Sequence, residues 1–245
     1  MIPRLYCDQP LAVGATLSLP ESVAHHARDV LRLGSGDMVT LLNGLGGEYR
    51  ARLDSVTRRE VVARVEAFDQ REAEAPFELT VAQCLPSGDK MDWVVEKAVE
   101  LGAARVQPLA ATRSILRLDT TRAARRHAHW SAVARAATLQ CGRNRMTEVA
   151  QVAPIDSWLA AQATSNCFKL MLSPVETRSF GSLDAPAPGS AIVLLIGPEA
   201  GLSDAEEALA RASGFLPILL GPRVMRTETA ALAALAAIHG RWGDF

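Results

Sequence analysis

Aromatic residues are scarce, at 5% of 245, which excludes the broad stacking platform that holds single-stranded nucleic acid. The four cysteines, Cys7, Cys84, Cys141 and Cys167, stand singly, with no CxxC and no histidine at metal-ligand spacing. A disulfide framework is therefore not indicated, and a reduced, cytoplasmic setting is expected. The adjacent His25 and His26 are not a ligand set by themselves, so no metal is expected. No apolar run is long enough to span a bilayer, and the opening MIPRLYCDQP lacks the apolar core of a signal peptide, so no membrane association is expected. Neither a GxGxxG fingerprint nor a phosphate-binding P-loop occurs.

What is present is a chain with 49% hydrophobic residues and a net charge of −1, able to bury a real core as one large or two modest domains. The near-neutral total hides clustering. Between Arg113 and Arg145 lie eight arginines, Arg113, Arg117, Arg122, Arg125, Arg126, Arg135, Arg143 and Arg145, against one acid, Asp119. Most charge runs are solvated faces, but eight nearly uncompensated cations favour a polyanion contact. Arg143-Asn144-Arg145 adds planar donors suited to phosphates or base edges.

Residues 1–72 read as a small β-barrel or sandwich with one short helix over Ser22–Arg32 and strands at Met38–Leu42, Tyr49–Leu53 and Val61–Phe68. The acidic, proline-bounded DQREAEAP, Asp69–Pro76, marks the boundary. Residues 73–245 alternate strands and helices, which predicts a mostly parallel sheet covered on both faces. In this second part the helix Asp89–Leu101, with Asp89 as its N-cap, needs no functional explanation.

Its end is the most informative stretch. Two apolar runs, Ile192–Ile196 and Leu216–Leu220, each break at a Gly-Pro before a helical pattern. Ser203 and Glu206 form a capping box for the first helix, and alanine- and leucine-rich Thr227–Ile238 forms the second. Both loops then lie at the carboxyl ends of parallel strands, where open α/β sheets place ligands. Two ordinary connections without a ligand are the alternative.

LPSGDKMDWVVEKAVELGA, then Arg113-Ser114, QCGRNR, LIGPEAGLS and LGPRVMRTETA, in this order and at these separations, resemble the RsmE family, SPOUT-class methyltransferases of uracil N3 in 16S ribosomal RNA. HHARDVLRLGSGDMVTLLNGLGGEYRARL is similar to that family's RNA-binding PUA-like barrel, so the resemblance covers nearly the whole chain. It implies an α/β fold with a trefoil knot, S-adenosylmethionine as methyl donor, a homodimer, and 16S RNA or the assembled small subunit as partner. By the resemblance Ile196, Gly197, Glu199 and Gly201, then Leu220 and Gly221, then Met225, Arg226, Thr227 and Thr229 surround the cofactor, with Leu172 and Ser173 closing it. RNA contacts are expected from Arg4, Arg113, Arg143 and Arg145. Uracil N3 carries a hydrogen on its pairing edge, so the base must be unpaired or flipped out. Arg226 is then expected to stabilise charge on the ring oxygens, with Glu199 or a water taking the proton. A SPOUT enzyme with another RNA target and a non-catalytic RNA-binding dimer are the alternatives. The chain departs from the family pattern at Ala200, a usual glycine, Leu139, a usual glutamate, and Ser87, a usual lysine. If position 200 needs a positive φ, its methyl costs on the order of 1 kcal/mol.

Overall fold

The computed structural model describes residues 2–115, 119–187 and 189–245, so Arg117 of the basic stretch lies outside the described residues. The chain divides into two compact units, Met1–Glu74 with Thr138–Met146, and Ala75–Ala137 with Thr147–Phe245. The QCGRNR loop thus counts with the N-terminal unit.

That unit contains β1 (Arg4–Tyr6), β2 (Thr16–Ser18), α1 (Glu21–His25), β3 (Met38–Leu42), β4 (Glu48–Val56) and β5 (Val61–Asp69). One sheet runs β1-β3-β4-β5-β2, with β1 parallel to β3 and the other pairs antiparallel. Register shifts at Arg50/Ala51 and Leu53/Ser55 bend the long β4–β5 pair. Its inward side chains, Ala51, Leu53, Val61, Ala63 and Val65, build the core with Leu5 and Leu41. The single helix expected over Ser22–Arg32 is instead α1 followed by a π-turn at His26–Val30, closed by Arg32 at φ 56°. This wider turn keeps both Ala24 and Ala27 buried. The three-residue strands β1 and β2 are too short for an alternation pattern to show.

The second unit holds β6 (Leu79–Cys84), α2 (Lys90–Glu100), β7 (Arg105–Ala110) and most of α3 (Thr120–Cys141). It continues with β8 (Glu148–Val149), β9 (Ala153–Pro154), α4 (Ile155–Gln162), β10 (Phe168–Leu172), β11 (Ile192–Ile196), α5 (Asp204–Ala212), β12 (Leu216–Ile218) and α6 (Thr227–Trp242). Its strands pair in parallel in the order β12-β10-β11-β6-β7-β8, with β9 also on β7. Every residue of β11 is buried, as a uniformly apolar strand covered on both faces should be. The two-residue strands β8 and β9 are both held by β7. Asp89 does take the N-cap position of α2, but its side chain makes no capping bond and accepts from Arg126 at 3.2 Å instead.

Candidate functional site

From β10 the chain steps to β11 on one side, then returns to lay β12 on the other side of β10. Because the three strands are parallel, the loops that follow them leave from one end of the sheet, beside a point where the connections diverge. There they enclose a cavity of about 670 Å³, within the usual range for small-molecule sites. Leu172 and Ser173 come from the β10 loop, Ile196, Gly197, Glu199 and Gly201 from the β11 loop, and Leu220, Gly221, Met225, Arg226 and Thr227 from the β12 loop. Of the expected cofactor positions only Thr229 falls outside; it is exposed, and Ala230 lines the cavity in its place. On a helix, positions three apart share a face and positions two apart do not, so Thr227 pairs with Ala230.

Hydrogen bonds fix the loops. Thr227 Oγ1 donates to Gly197 O at 2.6 Å and accepts from Gln83 Nε2 at 2.8 Å, so the first turn of α6 is tied to the β11 loop and the end of β6. Gly197 is packed closely: a Cβ there would lie 3.3 Å from the Leu202 amide nitrogen. The positive φ of this loop is at Gly201, 71°, whereas Ala200 has no positive φ, so the alanine in place of the usual glycine carries no backbone penalty. The capping box of α5 is present, with Glu206 accepting from Ser203 N at 2.7 Å. Burial pushes the Glu206 carboxyl up, but hydrogen bonds from Thr112 and Ser203 outweigh it and leave its pKa lowered.

Arg113, expected on the RNA, is turned onto this loop: it donates to Leu202 O at 2.9 Å and lines the cavity. It braces the site from the turn before α3.

The charged wall centres on Glu199. Its Oε1 accepts from Ser87 N at 2.9 Å, Ser87 Oγ at 2.6 Å and Lys90 Nζ at 2.8 Å. Burial raises the Glu199 pKa, but these bonds prevail and lower it to about 2. Ser87, a departure from the family pattern, is therefore part of the site. Lys90 also lies 3.8 Å from Glu228 Oε2, a buried oxygen with no hydrogen-bond partner among the described residues. Arg226, N-cap of α6, is exposed, makes no side-chain capping bond, and borders the cavity. Gln83 and Lys90 were not singled out as site residues. Lys90 in particular sits in a helix whose regular apolar stripe explains its neighbours without any ligand.

The remaining arginines differ from expectation. Arg143 is buried at 4% exposure, and its guanidinium pairs with Glu74 Oε2 through Nε at 2.8 Å. Glu74 Oε1 accepts from the amides of Asn144 and Arg145 at 3.3 and 3.1 Å. Arg4 donates to Glu48, to Arg143 O at 2.9 Å and to Asn144 Oδ1 at 2.6 Å. Both Arg4 and Arg143 thus hold the loop together and are not free phosphate donors. Arg145 is different: its side chain is 56% exposed, with a long contact to Glu72 at 3.3 Å. The arginines are not uncompensated either, because acids distant in sequence meet them: Glu74 at Arg143, Glu72 at Arg145 and Asp89 at Arg126.

Residues 73–239 match the RNA methyltransferase domain family, and 19–66 the RNA methyltransferase PUA domain family. Over 236 residues the chain is 33% identical to ribosomal RNA small subunit methyltransferase E of Bacillus subtilis, covering 94% of this chain and 92% of that one. A crystal structure of ribosomal RNA small subunit methyltransferase E from Neisseria gonorrhoeae bound to S-adenosyl methionine superposes with a TM-score of 0.91 at 35% identity, covering 100% of both chains. A Legionella pneumophila methyltransferase in complex with the bound cofactor SAM gives 0.92 at 33% identity, again over 100% of both.

Proposed function

We propose, for a chain that belongs to the RNA methyltransferase family of ribosomal RNA small subunit methyltransferase E, that it methylates N3 of a specific uridine in 16S ribosomal RNA with S-adenosylmethionine. The observation that carries this reading is the cavity at the ends of β10, β11 and β12, lined by the loops in which the family motifs fall. Its residues fit such a donor. Leu172, Ile196, Leu220 and Met225 offer apolar walls, the glycine-bearing loops offer backbone groups for an adenine edge, and Glu199, Asp204 and Glu207 offer negative charge to a cationic ligand. Bound there, S-adenosylmethionine supplies a methyl group activated by its sulfonium.

The chain's own residues position the acceptor. Glu199, with a pKa about 2, stays ionised at working pH and holds a proton too weakly to remove one from a ring nitrogen. It acts as a hydrogen-bond acceptor for the N3–H, and the base role shared in the sequence reading between Glu199 and a water falls to the water. Arg226 faces the charge that develops on the ring oxygens. Under the same reading the enzyme works in the cytoplasm, as a homodimer whose C-terminal domain carries a trefoil knot. Among the described residues no helix is long and apolar enough to cross a membrane.

Mass spectrometry of 16S RNA from a deletion strain tests the reading: loss of one N3-methyluridine, restored by the gene, is expected. Loss of a ribose methyl or a transfer RNA methyl points to another RNA target, and no loss together with no binding of S-adenosylmethionine points to a non-catalytic RNA-binding dimer.

Thr227→Val keeps the side-chain volume but strips Gly197 O of its donor and Gln83 Nε2 of an acceptor. Leaving such buried groups unmatched costs about 1–3 kcal/mol, so calorimetry should find S-adenosylmethionine affinity weakened by about tenfold or more. Unchanged affinity would mean that this bond does not shape the cavity.

A further inference from the structure

We propose that Lys90 is a positioning residue: by pairing with both Glu199 and Glu228 it fixes the Glu199 carboxylate at the cavity wall and leaves the Arg226 guanidinium free to face substrate. The proposal rests on the reading of this cavity as the methyl-transfer site.

Three observations carry it. First, the donors to Glu199 converge on one oxygen and come from one turn, Ser87 to Lys90, between β6 and α2. The carboxylate is gripped from one side.

Second, Glu228 is 9% exposed and its Oε2 is buried without a hydrogen bond among the described residues, with the Lys90 ammonium 3.8 Å away. Glu228 follows Arg226 by two residues, so one ammonium links the β11 loop to the first turn of α6.

Third, the helix turn that carries Lys90 is itself anchored. The start of α2 is held to α3 by Asp89 with Arg126 at 3.2 Å, by Asp92 with His129 at 2.6 Å, and by the Trp130 indole donating to Asp92 at 3.0 Å.

The charge balance gives this arrangement its consequence. Lys90 lies between two acids, while the exposed Arg226 lines the cavity that Glu199 borders. Without Lys90, the two carboxylates would repel each other and draw on the nearest free cation. Other charged groups around the cavity are Arg113 from the turn before α3, Asp204 and Glu207 from α5, and Arg223 from the β12 loop. Arg113 already braces the β11 loop, so the exposed Arg226 and Arg223 are the cations left to be captured.

The test compares the full-length wild type with Lys90→Met and Lys90→Arg, measuring RNA methylation from pH 5 to 9 and S-adenosylhomocysteine binding by calorimetry. Lys90→Met should lower kcat by about 10- to 100-fold, the scale expected of a misplaced catalytic geometry, and leave ligand affinity within about threefold. A new acid limb should also appear. In the wild type Glu199 is ionised throughout this range; without the ammonium its pKa moves up while the Ser87 bonds still hold it down, so protonation at the acid end removes part of the acceptor and the rate rises modestly with pH there. Lys90→Arg should restore the rate and flatten the profile. Unchanged kcat and pH profile in Lys90→Met would overturn the proposal, as would a fall in kcat matched by an equal loss of affinity with no acid limb, the signature of a mere brace. A wild type that binds S-adenosylhomocysteine but methylates no RNA would instead overturn the methyltransferase reading, and the proposal with it.

Discussion

Arg143→Ala should destabilise the N-terminal unit by about 3 kcal/mol, the lower end of the loss seen when one partner of a buried ion pair is removed. The lower end applies because Glu74, which would be left behind, is 18% exposed and can recruit some water. Its other oxygen would still hold the amides of Asn144 and Arg145, but the guanidinium that neutralises it would be gone. Urea unfolding should show an earlier transition for this variant. Arg145→Ala supplies the contrast. Its side chain is more than half exposed, so stability should change by no more than about 0.5 kcal/mol. RNA affinity should fall, with the slope of log affinity against log salt reduced by about 1. Equal stability of the two variants would contradict the division between a structural and an RNA-facing arginine.

The same pair shows which features could be read from the chain. Local physics was legible: five apolar residues in a row gave β11, Ser203 and Glu206 gave the capping box, and both appear where expected. The loops at Gly197 and Gly221 could be placed at strand ends for the same reason, since Gly197 follows β11 directly and Gly221 comes three residues after β12, which stops at Ile218 and not at the expected Leu220. Long-range charge pairing was not legible. Glu74 and Arg143 are 69 residues apart, and DQREAEAP looks like a linker until its acids meet QCGRNR. A count of charges along a window cannot reveal acids that the fold brings in from outside. Lys90 was hidden for another reason. The apolar stripe of α2 accounts for Met91, Val94, Val95 and Ala98, and says nothing about what the first residue of that helix touches. Thr229 lies off the cavity wall, because helix geometry sets Ala230 on the face shared with Thr227.

Arg226→Ala should lower kcat by about 100- to 1,000-fold, comparable with removing one donor from a preorganised oxyanion site. Affinity for the methyl donor should stay within about threefold if the residue acts on charge that appears only in the transition state. The case rests on where the guanidinium sits. It is exposed at the cavity, at the start of α6, beside a loop braced by other groups. When N3 of a uracil loses its proton, negative charge spreads to the two ring oxygens, and a planar cation with several donors can meet one of them without rearranging. Lysine at this position should recover only part of the rate, because a point charge on a flexible stem lacks that fork. Single-turnover assays with saturating donor and RNA separate the outcomes. A loss seen only in RNA affinity would make Arg226 a binding residue for the phosphate backbone. Full turnover with unchanged donor affinity would shift the electrostatic role to Arg223, the other arginine of the same loop at the cavity.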